Sequence, residues 1–420
     1  MPRNISLSQF WSAWLGNFFE HYDTALFGFL SPFLAPLIFP KQEPITALIL
    51  TYAMIPLGML ARPLGAIFFG YIGDAYGRMQ ALFLTLAGMS IVSGCIAISP
   101  TFEQAGILSP IIFCLGRILQ NFLAAGETMG GAIFLLENAP EKRHDVFSSL
   151  YNASTIGGFL LASIGVSLLT YFEAIEWGWR LLYALGCLTG LFGCLIRSHI
   201  SESSTSSALS FSHSFSQLIQ IFWDCRKLLL VIAISSGFAY ANYSIALVLM
   251  NGILPLATSL NKEQMINLNT FLLVLDFSAL PLFGWLASKI TREKMMLYAS
   301  LSVALSAIPV FFLLESASFL SVIVIRIWLV IVGVAYFAPF HAWAQQIVPA
   351  SYRYLIISFG YALGSQLFGG PTAMISMWLY KETGMISSAA WYWWALALAN
   401  SVMLLQTFRI KKFSILRGKI

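Results

Sequence analysis

The chain has 420 residues, 58% of them hydrophobic and 10% charged, with a mean hydropathy of +0.79 and a net charge of +5. A water-soluble protein carries about 25% charged residues, so no soluble domain could hide this much apolar surface. The apolar runs are long and continuous rather than alternating, which excludes a transmembrane β-barrel.

A helix that crosses a bilayer needs roughly 20 apolar residues. Stretches of that kind predict twelve spans, beginning with 10–38. This first span contains Glu20, His21 and Asp23 and lacks the short apolar core and small-residue cleavage site of a signal peptide, so it is expected to remain in place. Gly16, Glu20, Asp23 and Phe27 share one helix face, with Asn17 and Thr24 beside it. A stripe mixing carboxylates with polar groups belongs on a water-filled cavity rather than on lipid.

The second span, 47–69, holds Arg62 and runs into the polar turn Gly70-Tyr-Ile-Gly-Asp-Ala-Tyr-Gly-Arg78 before the third, 81–99. Gly70, Gly73 and Gly77 allow close helix approach and tight turning. Asp74 and Arg78 can pair with other charges or cap helix ends. The fourth span, 107–136, carries Arg117, Gln120, Asn121, Ala124, Glu127 and Thr128 as a second polar stripe. Spans at 146–171 and 178–196 complete the first half.

A serine-rich interval from Arg197 to Lys227 follows, with Phe211, Phe215, Leu218, Ile219 and Phe222 at the spacing of an amphipathic surface helix. It divides the chain into a six-helix half at 1–197, a linker at 198–227 and a second six-helix half at 228–420. The second half has spans at 228–254, 266–287, 296–314, 318–340, 354–379 and 390–408. Gly284 to Arg292 repeats the polar turn 214 residues later, with Ser288 in place of the acid and Thr291 in place of the last glycine. Asp276 and Arg326 are the charges inside the second half's spans, and a structural cross-helix pair is expected of them. His341 reads as a satisfied interfacial histidine, and Trp391, Tyr392, Trp393 and Trp394 as interfacial anchors. Tyr22, Tyr240, Tyr243 and Trp343 are candidates to line a cavity, since aromatic faces attract quaternary ammonium groups. Gly364, Gly369, Gly370 and Pro371 allow the eleventh span to pack closely and bend.

With both termini inside, sixteen Lys and Arg fall on the cytoplasmic side, Arg197 among them, four fall outside, and Arg62, Arg117 and Arg326 lie within spans. That bias predicts cytoplasmic termini and explains the net positive charge without a nucleic-acid partner. The spans hold Glu20, Asp23, Glu127 and Asp276 against those three arginines, which leaves one carboxyl to be neutralised by a proton. Cys95, Cys114, Cys187, Cys194 and Cys225 are scattered, as are the histidines, so neither a metal site nor another cofactor is expected.

Four blocks together resemble the metabolite:proton symporters of the major facilitator superfamily, which include bacterial proline/betaine and dicarboxylate importers. These are Gly16-Asn-Phe-Phe-Glu-His-Tyr-Asp23, Arg62-Pro-Leu-Gly65 with the turn that follows, Gly126-Glu127 with Glu137 and Pro140, and Trp177-Gly-Trp-Arg180. Arg353 to Gly370 is a fainter block. Ala125, Asn121 and His144 depart from the family pattern, and His21 stands where a bulky aromatic is commoner. The C-terminal coiled-coil extension of osmosensing members is not expected, nor is their mode of activation.

The resemblance implies an all-α membrane protein with the major facilitator fold, a monomer in the bacterial inner membrane whose partners are a small solute, the proton and membrane lipid. It implies proton-coupled import of a zwitterionic osmolyte, an amino acid or a small carboxylate by alternating access. Glu127, Asp23 and Glu20 are then the candidates for proton coupling, Glu127 first. Arg62, Arg117, Asn121, Tyr22 and Asn17 are those for solute binding. Gly70, Gly73, Asp74, Gly77 and Arg78 would form the gate. A drug/proton antiporter is the competing transport reading, against which the fifth span has Gly157, Gly158 and Gly165 but no proline. A non-transporting sensor would need an output domain, and an enzyme would need a nucleophile–base pair or a phosphate loop; neither stands out.

Overall fold

The computed structural model describes residues 6–40, 42, 50, 51, 54, 57–198, 215–250, 253, 254, 262–316 and 318–416. Every regular element among them is helical. The first half holds Leu7–Ile38 (α1), Arg62–Ala75 (α2), Arg78–Ala97 (α3), Leu108–Asn138 (α4), His144–Tyr171 (α5) and Ile175–Ser198 (α6). Phe215–Asp224 (α7) is a short helix within the expected linker. The second half holds Arg226–Tyr243 (α8), Lys262–Ile290 (α9), Arg292–Leu313 (α10), Phe319–Phe337 (α11), Phe340–Ile347 (α12), Arg353–Gly364 (α13), Thr372–Thr383 (α14) and Trp391–Leu416 (α15).

Among the described residues, eight helices are long and apolar enough to cross a membrane. Much of the second expected span upstream of Leu57, and the serine run at 199–214, lie outside the described residues.

Local chemistry explains the ends and breaks. Ser6 and Gln9 form a reciprocal capping box that starts α1, with Gln9 N donating to Ser6 Oγ at 3.2 Å and Ser6 N to Gln9 Oε1 at 3.0 Å. The eleventh expected span is not one regular helix. It passes through a π turn at Ser365–Gly369 before α14, because Pro371 has no N–H to continue the ladder. The seventh span likewise widens into a π turn at Ser244–Leu249.

The contacts form two compact units. The first comprises Met1–Pro140, Ala153–Gln217 and Pro349–Phe359. The second comprises Glu141–Asn152, Leu218–Val348 and Gly360–Ile420. The first turns of α5 therefore group with the second unit, and the first turns of α13 with the first.

In the first unit, α1 packs on α4 and α6, α3 packs on the same two helices, and α2 packs on α4. Tyr22, Leu26, Phe27, Leu30 and Leu34 of α1 meet Phe113, Trp179 and Tyr183 in one buried cluster. Lipid tails are as apolar as these side chains, so close van der Waals fit holds such helices together. Gly65 shows this, since a Cβ there would overlap the Phe122 backbone. Leu57, Leu60, Leu64 and Phe68, at helical spacing, are left exposed as a lipid-facing stripe.

In the second unit, α10 packs on α15 and α11, and α8 packs on α15 and the second π turn. Polar groups link these helices. Asn400 Oδ1 accepts from Ser235 Oγ at 3.0 Å and Tyr336 Oη at 2.9 Å, and Asn400 Nδ2 donates to Ser300 Oγ at 3.0 Å. Such bonds stabilise helix pairs where water offers no alternative partner.

Candidate functional site

The polar residues of α1 and α4 do not form one continuous site. They separate into three buried groups, all in the first unit.

The first group centres on Asp23, which is 3% exposed. Its Oδ2 accepts from Ser93 Oγ of α3 at 2.6 Å, while Oδ1 has no hydrogen-bond partner. Ser93 Oγ in turn accepts from Gln120 Nε2 at 3.1 Å, and Gln120 Oε1 accepts from Arg117 Nη1 at 2.9 Å. A chain of side-chain hydrogen bonds thus joins a carboxyl and a guanidinium that form no direct ion pair among the described residues. Arg117 is buried over the Phe27 ring, 4.8 Å from its centroid, and its Nε has no partner. Gly186 of α6 makes the space that Asp23 occupies, since a Cβ there would overlap Oδ1.

The second group is Glu20 and its donors. Thr24 Oγ1 donates to Oε1 and Thr128 Oγ1 to Oε2, both at 3.1 Å. His21 Nδ1 lies 2.6 Å from Oε2, and Arg62 Nη2 lies 3.7 Å from Oε1. Arg62 Nε donates to Asn121 Oδ1 at 3.0 Å, and Asn121 Nδ2 donates to the Arg117 carbonyl at 2.9 Å. Glu20 therefore sits in a satisfied network that ties α1, α2 and α4 together.

The third group corrects the charge count made from the sequence. Glu127 is fully buried and paired with Arg197, whose Nη1 donates to Oε2 at 2.8 Å and whose Nη2 pairs with Oε1. Thr85 Oγ1 adds a bond to Oε2 at 2.9 Å. Arg197 ends the apolar stretch of α6 and so reads as a loop charge, yet it is 1% exposed. With Arg197 inside, the acids and bases within the spans are equal in number, so the count by itself no longer requires a protonated carboxyl. Gly16 makes room for the pair, because a Cβ there would overlap both Arg197 Nη2 and Glu127 Oε1. The glycine that opens the α1 motif was the only local sign of this pair, and it does not name the partners.

Two residues expected to bind solute are engaged elsewhere. Tyr22 packs in the core and donates from its hydroxyl to the Leu182 carbonyl at 3.0 Å. Asn17 Nδ2 joins α1 to α5 through Ser154 Oγ at 2.8 Å and Thr155 Oγ1 at 2.9 Å. Arg326 is not paired with Asp276 as expected. It donates to the Ala246 carbonyl at 3.1 Å and to Asn269 Oδ1 at 2.9 Å. His341 is buried beside the Tyr151 ring.

The α2–α3 turn is brought onto the start of α13, also within the first unit. Asp74 Oδ2 accepts from the Leu355 backbone N–H at 3.0 Å, one of the donors a helix start leaves free. Asp74 also pairs with Arg78. Arg78 Nη1 donates to the Gly73 carbonyl at 2.7 Å, and its Nε lies 3.5 Å from Glu137 Oε2. Glu137 Oε1 accepts from Arg353 Nη1 at 3.2 Å. Gly70 lies against the Leu355 backbone, Gly73 lies against the Tyr354 ring, and Tyr354 Oη hydrogen-bonds the Gly126 carbonyl. Gly77 has φ +111°, a conformation that favours glycine at the turn into α3.

The degraded repeat has the matching arrangement in the second unit. Thr291 stands at the turn into α10 with φ +87° where the first copy has Gly77. Arg292 pairs with Asp145 at the start of α5, Nε to Oδ1 at 2.9 Å, and donates from Nη1 to the Ala342 carbonyl at 3.0 Å. The acid is thus supplied by α5, since Ser288 has replaced it in the turn.

The chain is similar in sequence and in fold to known transporters. The family described as "Sugar (and other) transporter" matches residues 10–210. A putative proline/betaine transporter of Staphylococcus aureus (strain COL) is 27% identical over 405 residues, covering 93% of this chain and 85% of the relative. A citrate-proton symporter of Klebsiella pneumoniae is 28% identical over 391 residues, covering 91% of this chain and 87% of the relative. Among solved structures, a proton:xylose symporter bound to 6-bromo-6-deoxy-D-glucose aligns with a TM-score of 0.74 at 15% identity, covering 95% of each chain.

Proposed function

We propose that this chain, which has the major facilitator fold and resembles its metabolite:proton symporters, imports a small polar solute together with protons. The names of its relatives point to a zwitterion such as proline or betaine, or to a carboxylate such as citrate. The observation that carries the reading is the bonded chain from Asp23 through Ser93 and Gln120 to Arg117. The ends of that chain are opposite charges with no direct contact, and buried charges are costly unless balanced.

Coupling then follows from charge. With no solute, ionised Asp23 balances Arg117 through the intervening polar groups. A solute carboxylate takes over Arg117, and Asp23 accepts a proton so that the site keeps its balance. Arg62 and Asn121 orient the carboxylate. Glu127 holds α4 to α6 against α1 through Arg197, and Glu20 holds α1 to α2 and α4; neither carries the transported proton. One proton moved inward releases about 2.3 kcal/mol per 100 mV. That supports tens-fold accumulation, since about 1.4 kcal/mol is a factor of ten.

The halves 1–197 and 228–420, joined by 198–227, alternate access. The Asp74–Leu355, Arg78–Glu137 and Glu137–Arg353 contacts latch the face that carries the α2–α3 turn. The excess of Lys and Arg makes that face cytoplasmic, places both termini inside and fits a multi-pass protein of a bacterial inner membrane.

Uptake of labelled proline, glycine betaine and citrate into proteoliposomes, with and without an inward proton gradient, tests the function. At least one should accumulate only with the gradient. Solute expulsion driven by that gradient, with no accumulation of any of the three, would establish the antiporter reading instead.

A further inference from the structure

The second unit contains a buried carboxyl that the function above does not use. Asp276 lies mid-way along α9 and is fully buried. Its one hydrogen bond comes from Tyr243 Oη at 3.4 Å, and its Oδ2 has no partner. It lines a pocket with Asn242, Tyr243, Ala246, Leu329 and Gly333 that is too tight to seat a water molecule. Asn242 Oδ1 accepts from Trp393 Nε1 at 2.7 Å, but Asn242 Nδ2 is also unpartnered. Two residues that line the same small pocket thus carry an unused acceptor and an unused donor.

Among the described residues, none forms an ion pair with Asp276. Arg326 on α11 is the cation on the neighbouring helix, and the π turn after Tyr243 offers it the Ala246 carbonyl, with Asn269 as second acceptor. On α9 the nearest described charge, Lys289, lies thirteen residues from Asp276, about 20 Å along the helix. Arg292, Glu293 and Lys294 begin α10, and Arg292 is paired with Asp145. The phenol of Tyr243 is the one titratable group bonded to Asp276. An ionised carboxylate with a single long hydrogen bond and no cation is far costlier to bury than the neutral acid. A metal ion would need several oxygen ligands, and the pocket's side-chain oxygens are one carboxyl, one phenol and the Asn242 amide oxygen, which already accepts from Trp393. π turns inside helices frequently mark functional positions.

We propose that Asp276 is a second proton-binding site, independent of the Asp23 chain. Its Oδ2 carries a proton in this conformation. When the pocket opens, the O–H bond breaks, the proton passes to water, and Asn242 Nδ2 becomes a donor to the carboxylate formed. Its part in transport rests on the function proposed above; its protonation does not.

Infrared difference spectra of the protein in proteoliposomes, titrated over pH without solute, test the assignment. The wild type should show a protonated-carboxyl C=O band that fades as pH rises. Asp276→Asn should lack that band, and Asp23→Asn should keep it. Tyr243→Phe should shift its frequency, because the one hydrogen bond to Asp276 is gone. If Asp276→Asn fails to fold, the Tyr243→Phe shift decides alone. An unchanged band in Asp276→Asn, or an unshifted one in Tyr243→Phe, overturns the proposal. So does loss of the band when choline chloride is replaced by sodium chloride at constant pH, which would mark a metal-cation site. Transport does not enter the readout, so failure to find a solute leaves the result standing.

Discussion

Exchanging Glu127 for glutamine separates a structural ion pair from a proton carrier. The substitution keeps the side chain's size and removes its charge. Arg197 then remains 1% exposed with no carboxylate facing its Nη1 and Nη2. Breaking a buried pair from one side costs about 3–5 kcal/mol, against a total stability of roughly 5–15 kcal/mol for a folded domain. Glu127→Gln should therefore lower the melting temperature of the detergent-purified protein sharply, reduce its abundance in the membrane, and abolish accumulation and counterflow together. Removing both charges should recover most of the loss, because apolar replacement of a buried pair is often neutral or better. Glu127→Met with Arg197→Met is thus expected to melt above Glu127→Gln alone. Asp23→Asn breaks no ion pair, and its amide oxygen can still accept from Ser93, so it should cost about 1–2 kcal/mol. It should reach normal abundance, lose gradient-driven accumulation and retain counterflow, which needs no net proton movement. A Glu127→Gln protein that melts like the wild type and exchanges solute without accumulating it would refute this reasoning and return Glu127 to the carrier's role.

Asp74→Asn removes the charge that faces Leu355 N–H and Arg78. A cap or helix-end charge is worth roughly 0.5–2 kcal/mol, so turnover should fall several-fold while solute affinity measured by binding is retained; equal turnover would remove the latch role. Thr291→Gly relieves a β-branched residue at φ +87°, where strain of about 1–3 kcal/mol is typical, and should raise the melting temperature. A lower melting temperature would show that the Thr291 side chain outweighs its backbone strain. Cysteine substituted at the exposed Glu141, in the turn between α4 and α5, should resist membrane-impermeant reagents added outside intact cells. Labelling there would reverse the assigned orientation.

Hydrophobicity along the chain was enough to read a polytopic helical membrane protein, because a spanning helix must satisfy its backbone within one contiguous apolar segment. The two turns were equally legible. Gly77 and Arg78 recur as Thr291 and Arg292, 214 residues later, and in both copies the first residue adopts a positive φ and the second begins a helix. Such properties are local, so a linear pattern records them. Charge pairing is not local. Arg197 looked like a loop base because it ends an apolar run, yet it meets Glu127 across 70 positions. Asp276 and Arg326 looked like partners because each was the lone charge of its span, yet a π turn gives Arg326 a backbone carbonyl instead. Glu20, Asp23 and Glu127 share a residue class and a helical stripe or its neighbour, but they have different partners. Glu20 gathers hydroxyls, His21 and Arg62, Glu127 takes a full cation, and Asp23 keeps one oxygen unused. Which carboxyl can exchange a proton depends on what lies within about 3 Å of each oxygen, and only the packing of α1 against α3, α4 and α6 decides that.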